Sequence, residues 1–516
     1  MDLVLSSLRF MVSLLLFLLL LPLFPSSLLS APFLPLLALP SPPLFLPPSW
    51  LTLFAALCST HPLAFWLTIH TTVRIHSLLF SFHCTALADT ESCSDGQASS
   101  CTTTTGGSGA AGDYIIVITA KATTSCVSSA GVSTGTLAYA SKCYQGSAEQ
   151  LDRPLAGYVN FCPAMMDTSL PEFESQLATA IHEVTHAMVF SSSLYPWFRD
   201  SNGAPRTARE SDGKPPAASY TPEAGCSVAG QYQVNTDMLS SETRRGKLVW
   251  IMKTPAVLAA ARAHFACSTL TGMELENQPT TACSTDRPAS HWEHRIMIGD
   301  FMSPQSHHDS AYSAITLGLF QDSGWYTVDT AAQTPMHWGK DKGCSFVTDK
   351  CLTPGADPVV PFPDHFCKTP SQPACALERK FKAGCGMSTY SGDLPAPFQY
   401  FTSDATKGGG NKLADYCPFY GGYSNGDCRF ESAPSSNYQG QIMGSASRCF
   451  DSSLKQVIGG YTASSASTGC LTIRNCLNGA YEVGIYSAAT SSTQWLACPS
   501  SSTTVAGSSI TGGGFE

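Results

Sequence analysis

The stretch ATAIHEVTHAMVFSSS, residues 178–193, carries two histidines four positions apart with a glutamate beside the first: His182, Glu183 and His186. Around it Phe173, Leu177, Ile181, Val184 and Met188 recur at helical spacing, so the segment reads as an amphipathic helix with one core-facing stripe. Ser169 and Pro171 supply start signals, and Glu172 and Glu174 suit the positive N-terminal end. At about 100° per residue, His182, Glu183 and His186 fall away from that stripe. Imidazoles at i and i+4 stand one above the other and can share one tetrahedral zinc at roughly 2.0–2.1 Å. A glutamate next to the first histidine then points beside the metal, where it can take a proton from water and hand it to a leaving amine. This is the zinc-peptidase reading of H-E-x-x-H.

Two histidines do not complete such a site. The compact continuation H-E-x-x-H-x-x-G-x-x-H is broken, because Val189 stands at the glycine position and Ser192 at the third histidine position. A downstream glutamate such as Glu210 or Glu223 lies in loop-like sequence that offers no helical partner face. The segment HWEHRIMIGDFMSP, residues 291–304, supplies His291 with Met302 eleven residues later. His294 follows closely but without a pattern that prefers it. His307 and His308 read as loop residues, and His264 sits on the amphipathic segment TPAVLAAARAHFAC, residues 254–267, as a structural histidine.

Here the chain resembles the leishmanolysin family of surface metalloproteases. The resemblance rests on HWE and FMSP around the distant histidine, AGYVNFCP before the helix, and TLGLFQDSGWY, WGKDKGCSFVTDKC, FQYFTSD with DYCPF, and SRCFD after it; it covers roughly residues 115–455. It implies zinc on His182, His186 and His291, Glu183 as catalytic base, and Met302 in the Met-turn as an apolar floor. Pro304 occupies the position where some related zincins place a tyrosine ligand. Val189 departs from the family glycine. If the backbone there requires positive φ, a β-branched residue is costly, and the helix is expected to run on. The implied fold is α+β, a zincin/metzincin-like catalytic domain with a central insertion and a disulfide-rich C-terminal region.

Composition sets the surroundings. The net charge of −9 with no basic run argues against a nucleic-acid partner. Of 21 cysteines, 19 follow residue 88 without paired C-x-x-C units, which points to disulfides and an oxidising compartment. From Phe10 to Val73 there is no charged residue, yet ten prolines interrupt the stretch. Phe10–Leu21 reads as a signal-peptide core; a second candidate is Arg74 followed by SLLFSF and the A-x-A-like cleavage pattern at residues 86–88, and either choice implies export. Membrane association through this region is left open by the sequence.

The expected organisation is a hydrophobic leader over 1–88, an N-terminal catalytic subdomain with the zinc helix over 89–190, and a middle insertion with the third ligand and Met-turn over 191–305. A disulfide-rich domain over 306–500 and a flexible tail over 501–516 complete it. YIIVITAKA (114–122) and LAGYVNFCP (155–163) read as strands, and YSAITLGLFQDSGWY (312–326) as a helix closed by Gly324. Beyond residue 340, eleven cysteines in loop-rich sequence predict stability from disulfides more than from regular elements. The function expected is a secreted or cell-surface zinc endopeptidase acting on proteins and peptides. The rival reading is a catalytically degenerate surface or adhesion protein that keeps the disulfide scaffold.

Overall fold

The apolar runs around residues 115 and 157 become neighbouring strands. In the computed structural model Tyr114–Ala120 and Pro154–Phe161 pair in parallel, Ile115 opposite Ala156 through Ala120 opposite Phe161. Val73–His76 adds in parallel beyond the first, and Ala138–Gln145 flanks the second. Parallel strands favour continuous burial over alternation, and Tyr114, Ile115, Ile116, Val159 and Phe161 are all buried. The buried Asn160 accepts from the Thr119 hydroxyl (2.7 Å) and the Lys121 amide (3.0 Å). A Cys126–Cys162 disulfide ties the end of the last strand to the loop after the first.

The structure describes residues 73–76, 90–93, 101–104 and most of 114–498, apart from 129–131, 168–172, 219–231, 277–287, 308, 431–439, 453–456, 459–460, 463–466 and 488–491. The tail reading, the leader reading apart from Val73–His76 (which the sheet takes up as a strand), the start signals at Ser169, Pro171 and Glu172, and the residues Glu223 and His308 lie outside it. The chain divides into two compact units: the sheet above, within Leu3–Tyr144 and Pro154–Thr168, and a larger unit holding Gln145–Arg153 and Ser169–Glu516.

In the larger unit, helix α1 spans Phe173–Met188, α2 Pro255–Phe265 and α3 Ala314–Asp322. Phe173, expected in the core stripe of α1, is 38% exposed, whereas Ala178, Ala180, Ile181, Glu183, Val184, Thr185 and Ala187 are buried. The small residues carry the packing, so the second half of α1 is enclosed on more than one side. Helix α1 stops at Met188 instead of running on. Val189 is fully buried and is not among the residues with positive φ, so the strain expected there does not arise.

Helices α2 and α3 are joined by charge and by a close approach. The Asp322 carboxylate accepts from the Ala256 and Val257 amides (2.8 and 2.9 Å), satisfying donors at the positive end of α2. A Cβ on Gly318 would sit 3.0 Å from the Ala256 carbonyl carbon, so glycine permits this contact. Gly324 closes α3 at φ +74°, and any side chain there would strike the Arg199 carbonyl oxygen.

The larger unit also holds regular structure unforeseen from sequence. Leu239–Arg244 and Lys247–Met252 form a hairpin whose turn, Arg245 and Gly246, has φ of 53° and 81°, as a two-residue hairpin turn requires. Beyond residue 370, Pro373–Cys375, Phe381–Cys385 and Tyr420–Asp427 form one antiparallel sheet. Ser447–Asp451, Thr468–Leu477, Ala480–Ser487 and Ser492–Cys498 form another. Leu471, Val483 and Ile485 fill the second sheet's core. Disulfides Cys375–Cys449 and Cys428–Cys470 meet in one buried cluster and link the two sheets. Cys267–Cys344, Cys351–Cys417 and Cys367–Cys385 bring the disulfides among the described residues to six. Disulfides and sheets therefore share the work assigned mainly to disulfides.

Candidate metal centre

Helical spacing places His182 and His186 one turn apart on α1, and their Nε2 atoms lie 2.9 Å from each other. His291 reaches the same point from a different element. Its Nε2 is 3.1 Å from that of His182 and 3.0 Å from that of His186. Nitrogens each at 2.0–2.1 Å from one tetrahedral ion stand about 3.3 Å apart. The observed triangle is slightly tighter and fits zinc.

The other ring nitrogen of each histidine decides what the triangle can do. His182 Nδ1 donates to the Phe301 carbonyl (2.6 Å), His186 Nδ1 to the Phe190 carbonyl (2.7 Å), and His291 Nδ1 to the Glu276 carboxylate (2.8 Å). Each Nδ1 faces an acceptor that cannot itself donate, which assigns the proton to Nδ1. Three Nε2 lone pairs therefore meet with no proton among them. Burial, then the His291 ring, lowers His182 to about 3, and burial followed by the other two rings holds His186 well below the ordinary histidine value. His182 and His186 therefore do not relieve the contact by protonating near neutral pH. A cation does.

The third imidazole is delivered by strand pairing. Met273–Glu274 extends the 239–252 hairpin sheet, and the chain returning at residue 291 pairs with it. The Glu293 amide donates to the Glu274 carbonyl (3.0 Å), Leu275 bridges Trp292, and the Glu276 amide donates to the His291 carbonyl (2.9 Å). Alternate residues share a face, so Glu274 and Glu276 lie on the same side as Glu293 and His291. Trp292 points the other way, fully buried.

Met302 is fully buried in the turn that follows. Its carbonyl accepts from the Trp292 amide (3.2 Å) and its amide donates to Asp300 Oδ1 (2.7 Å). The carbonyl of its neighbour Phe301 is the acceptor for His182. Trp292 Nε1 donates to the Thr316 hydroxyl (2.7 Å), which donates to Asp300 (2.9 Å). One chain of hydrogen bonds thus fastens the Met302 turn to α3 and to the strand bearing His291. Burial pushes Asp300 up to about 6 against these donors.

Glu183 is 5% exposed, and burial pushes it up to about 8. His294 is not brought to the cradle: its ring is buried, with Nδ1 2.5 Å from Ser303 Oγ. His264 Nε2 meets the Trp338 carbonyl at 2.8 Å, and Glu210 stays in its loop. Glu276 is the residue the sequence analysis missed. No spacing rule points to it, and only the pairing of 274–276 with 291–293 reveals it.

A second group, Glu274, Glu293 and Asp415, brings carboxylate oxygens within 4.8 Å of one another. Arg244, Arg245, Lys247 and Arg295 already surround it. Burial opposes ionisation of Asp415, but Lys247, Arg245 and Arg295 outweigh it and hold the carboxyl well below the usual range. A further cation has nothing to neutralise there.

A family model described as leishmanolysin matches residues 67–513. A leishmanolysin-like peptidase of Drosophila pseudoobscura pseudoobscura is 33% identical over 382 residues, covering 66% of this chain and 52% of that protein. One from Caenorhabditis elegans is 31% identical over 360 residues, 64% of this chain and 52% of its own length. Leishmanolysin of Leishmania major is 28% identical over 324 residues, 62% of this chain and 46% of its own. The chain spans about half the length of the relatives it matches.

Proposed function

The chain belongs to the leishmanolysin family, a family of zinc metallopeptidases, and from that premise we propose that it is a zinc-dependent endopeptidase cleaving protein and peptide substrates outside the cell. The observation that carries the reading is the meeting of three Nε2 lone pairs, each ring held by an acceptor at Nδ1. His182, His186 and His291 would hold the metal, and Met302 would close the site beneath it. Zinc, when bound, supplies the Lewis-acid charge that makes water nucleophilic near neutral pH and polarises a carbonyl. Glu183 takes the proton from the attacking water and delivers it to the departing amine. Its burial favours the protonated form, and the charge of a bound zinc would favour the carboxylate, so the group could both accept and release a proton. The six disulfides suit an oxidising, extracellular or surface setting. No helix among the described residues is long and apolar enough to cross a membrane.

The test compares wild type with Glu183→Gln on an unfolded protein substrate, with zinc content measured in both. The expected result is a fall in kcat of about 10²–10⁴-fold at unchanged zinc content. Equal cleavage by the two proteins would overturn the assignment of Glu183, and absence of cleavage by wild type would leave the degenerate surface-protein reading.

A further inference from the structure

The three histidines of the cradle are not held alike. Two donate through Nδ1 to backbone carbonyls, Phe301 and Phe190, which are neutral and fixed by the chain. The third donates to a side-chain carboxylate, Glu276, at 2.8 Å. The same two residues are also joined through the backbone, since the Glu276 amide donates to the His291 carbonyl at 2.9 Å. Side chain and main chain thus form a closed pair across the ribbon. The register that sets Leu275 against Trp292 leaves the Glu276 carboxylate facing this ring.

Resting on the zinc reading above, we infer that Glu276 is the positioning residue for the third ligand: it fixes the His291 ring with Nε2 toward the metal and supplies the cradle's one carboxylate partner. The need for such a residue follows from connectivity. His182 and His186 are oriented by the helix they share, and Phe190 follows His186 by only four residues. His291 arrives 105 residues after His186, on a two-stranded ribbon rather than a helix. Among the described residues, nothing on its own element bonds its Nδ1 to set its rotation. A carboxylate on the facing strand does this. It also raises the basicity of Nε2 and offsets part of the charge that three neutral imidazoles leave on a dication. Gln at 276 would keep an acceptor but lose that charge, whereas Ala would lose both, so the two variants separate orientation from electrostatics.

The experiment uses the full chain as wild type, Glu276→Gln, Glu276→Ala and His291→Ala. Zinc affinity is measured by competition with a chromophoric chelator. The metal-free proteins are melted in parallel, and the visible absorption of the Co²⁺-substituted forms is recorded. The expectation is a 10–100-fold loss of zinc affinity in Glu276→Gln and a larger one in Glu276→Ala. The metal-free melting temperatures should stay unchanged, and the Co²⁺ absorption bands should shift in both variants. Wild-type affinity and an unaltered Co²⁺ spectrum in Glu276→Gln would overturn the inference while leaving the zinc reading intact, provided His291→Ala loses the metal. An equal fall in metal-free stability and in affinity would also overturn it, because the role would then be structural. If wild type itself takes up no zinc, the underlying reading fails instead.

Discussion

Glu274 and Glu293 face one another on the ribbon that, two residues further along, sets Glu276 against His291. Both clusters gather polar atoms in a desolvated place, and they differ in what balances them. Around Glu274, Glu293 and Asp415 the protein supplies its own cations: Arg245 contacts both Glu274 and Asp415, Lys247 both Asp415 and Glu293, and Arg295 Asp415. Around the histidines it supplies acceptors at every Nδ1, and among the described residues no donor at any Nε2, whose contacts are with one another. Three converging donor atoms do not define a metal site; what matters is whether protons or protein cations already occupy their lone pairs. On that criterion the carboxylates form a structural knot, and the imidazoles are the candidate metal site. The knot grips the ribbon beside His291, so rigidity at Glu274 and Glu293 becomes placement at that ring.

The widest separation between the two comes from Glu274→Ala. Removing one partner of a buried, charge-balanced group strands the others, Arg245 above all, at a cost of about 3–5 kcal/mol. Chemical denaturation should show this loss equally with and without a chelator. A loss that appears only in the presence of zinc would place the knot in the metal site. The reverse experiment strips the metal from wild type. A ligand held at 100 times its dissociation constant stabilises by about 2.7 kcal/mol, so chelation should lower wild-type stability by that order and leave His291→Ala unchanged. An equal response in both proteins would locate the stabilising ion somewhere other than the cradle.

How far the sequence spoke for these regions depends on the range of the forces involved. Helix α1, the strands around residues 117 and 157, and the close of α3 at Gly324 were legible, because apolar periodicity and punctuation act over a few residues. The meeting of His291 with His182 was foreseen through family resemblance, since no local rule reaches across 109 positions. Glu276 and the knot were invisible. Both depend on the register between 274–276 and 291–293, which side-chain burial fixes only once the chain has folded. Arg245 shows the same limit: in sequence it is one of two arginines before a glycine, and in the fold it is a turn residue at positive φ whose side chain is enclosed with two carboxylates around it. Phe173 erred in the other direction. Its spacing fits the stripe, but it opens the helix where the core has not yet closed over it.

The opposite face of the same ribbon offers the finest test. Trp292 lies between His291 and Glu293 and points away from both clusters, its Nε1 donating to Thr316, whose hydroxyl serves Asp300 in the Met302 turn. Thr316→Val keeps the shape, removes the acceptor for Trp292 and takes one donor from Asp300; the expected cost is about 1–2 kcal/mol at neutral pH. Its pH dependence identifies the group responsible. Burial raises Asp300 from an ordinary 3.8 to about 6 in the folded protein. The folded state therefore holds a proton that the unfolded state has released between those values, and this group's contribution to stability falls as pH rises through that window. Without the Thr316 hydroxyl the charged form is still less favoured, so the penalty of the substitution should be larger at pH 7.5 than at pH 5. A penalty that is the same at both values would show that the lost Trp292 bond, not Asp300, carries the effect, and that this face of the ribbon is held by a neutral contact alone.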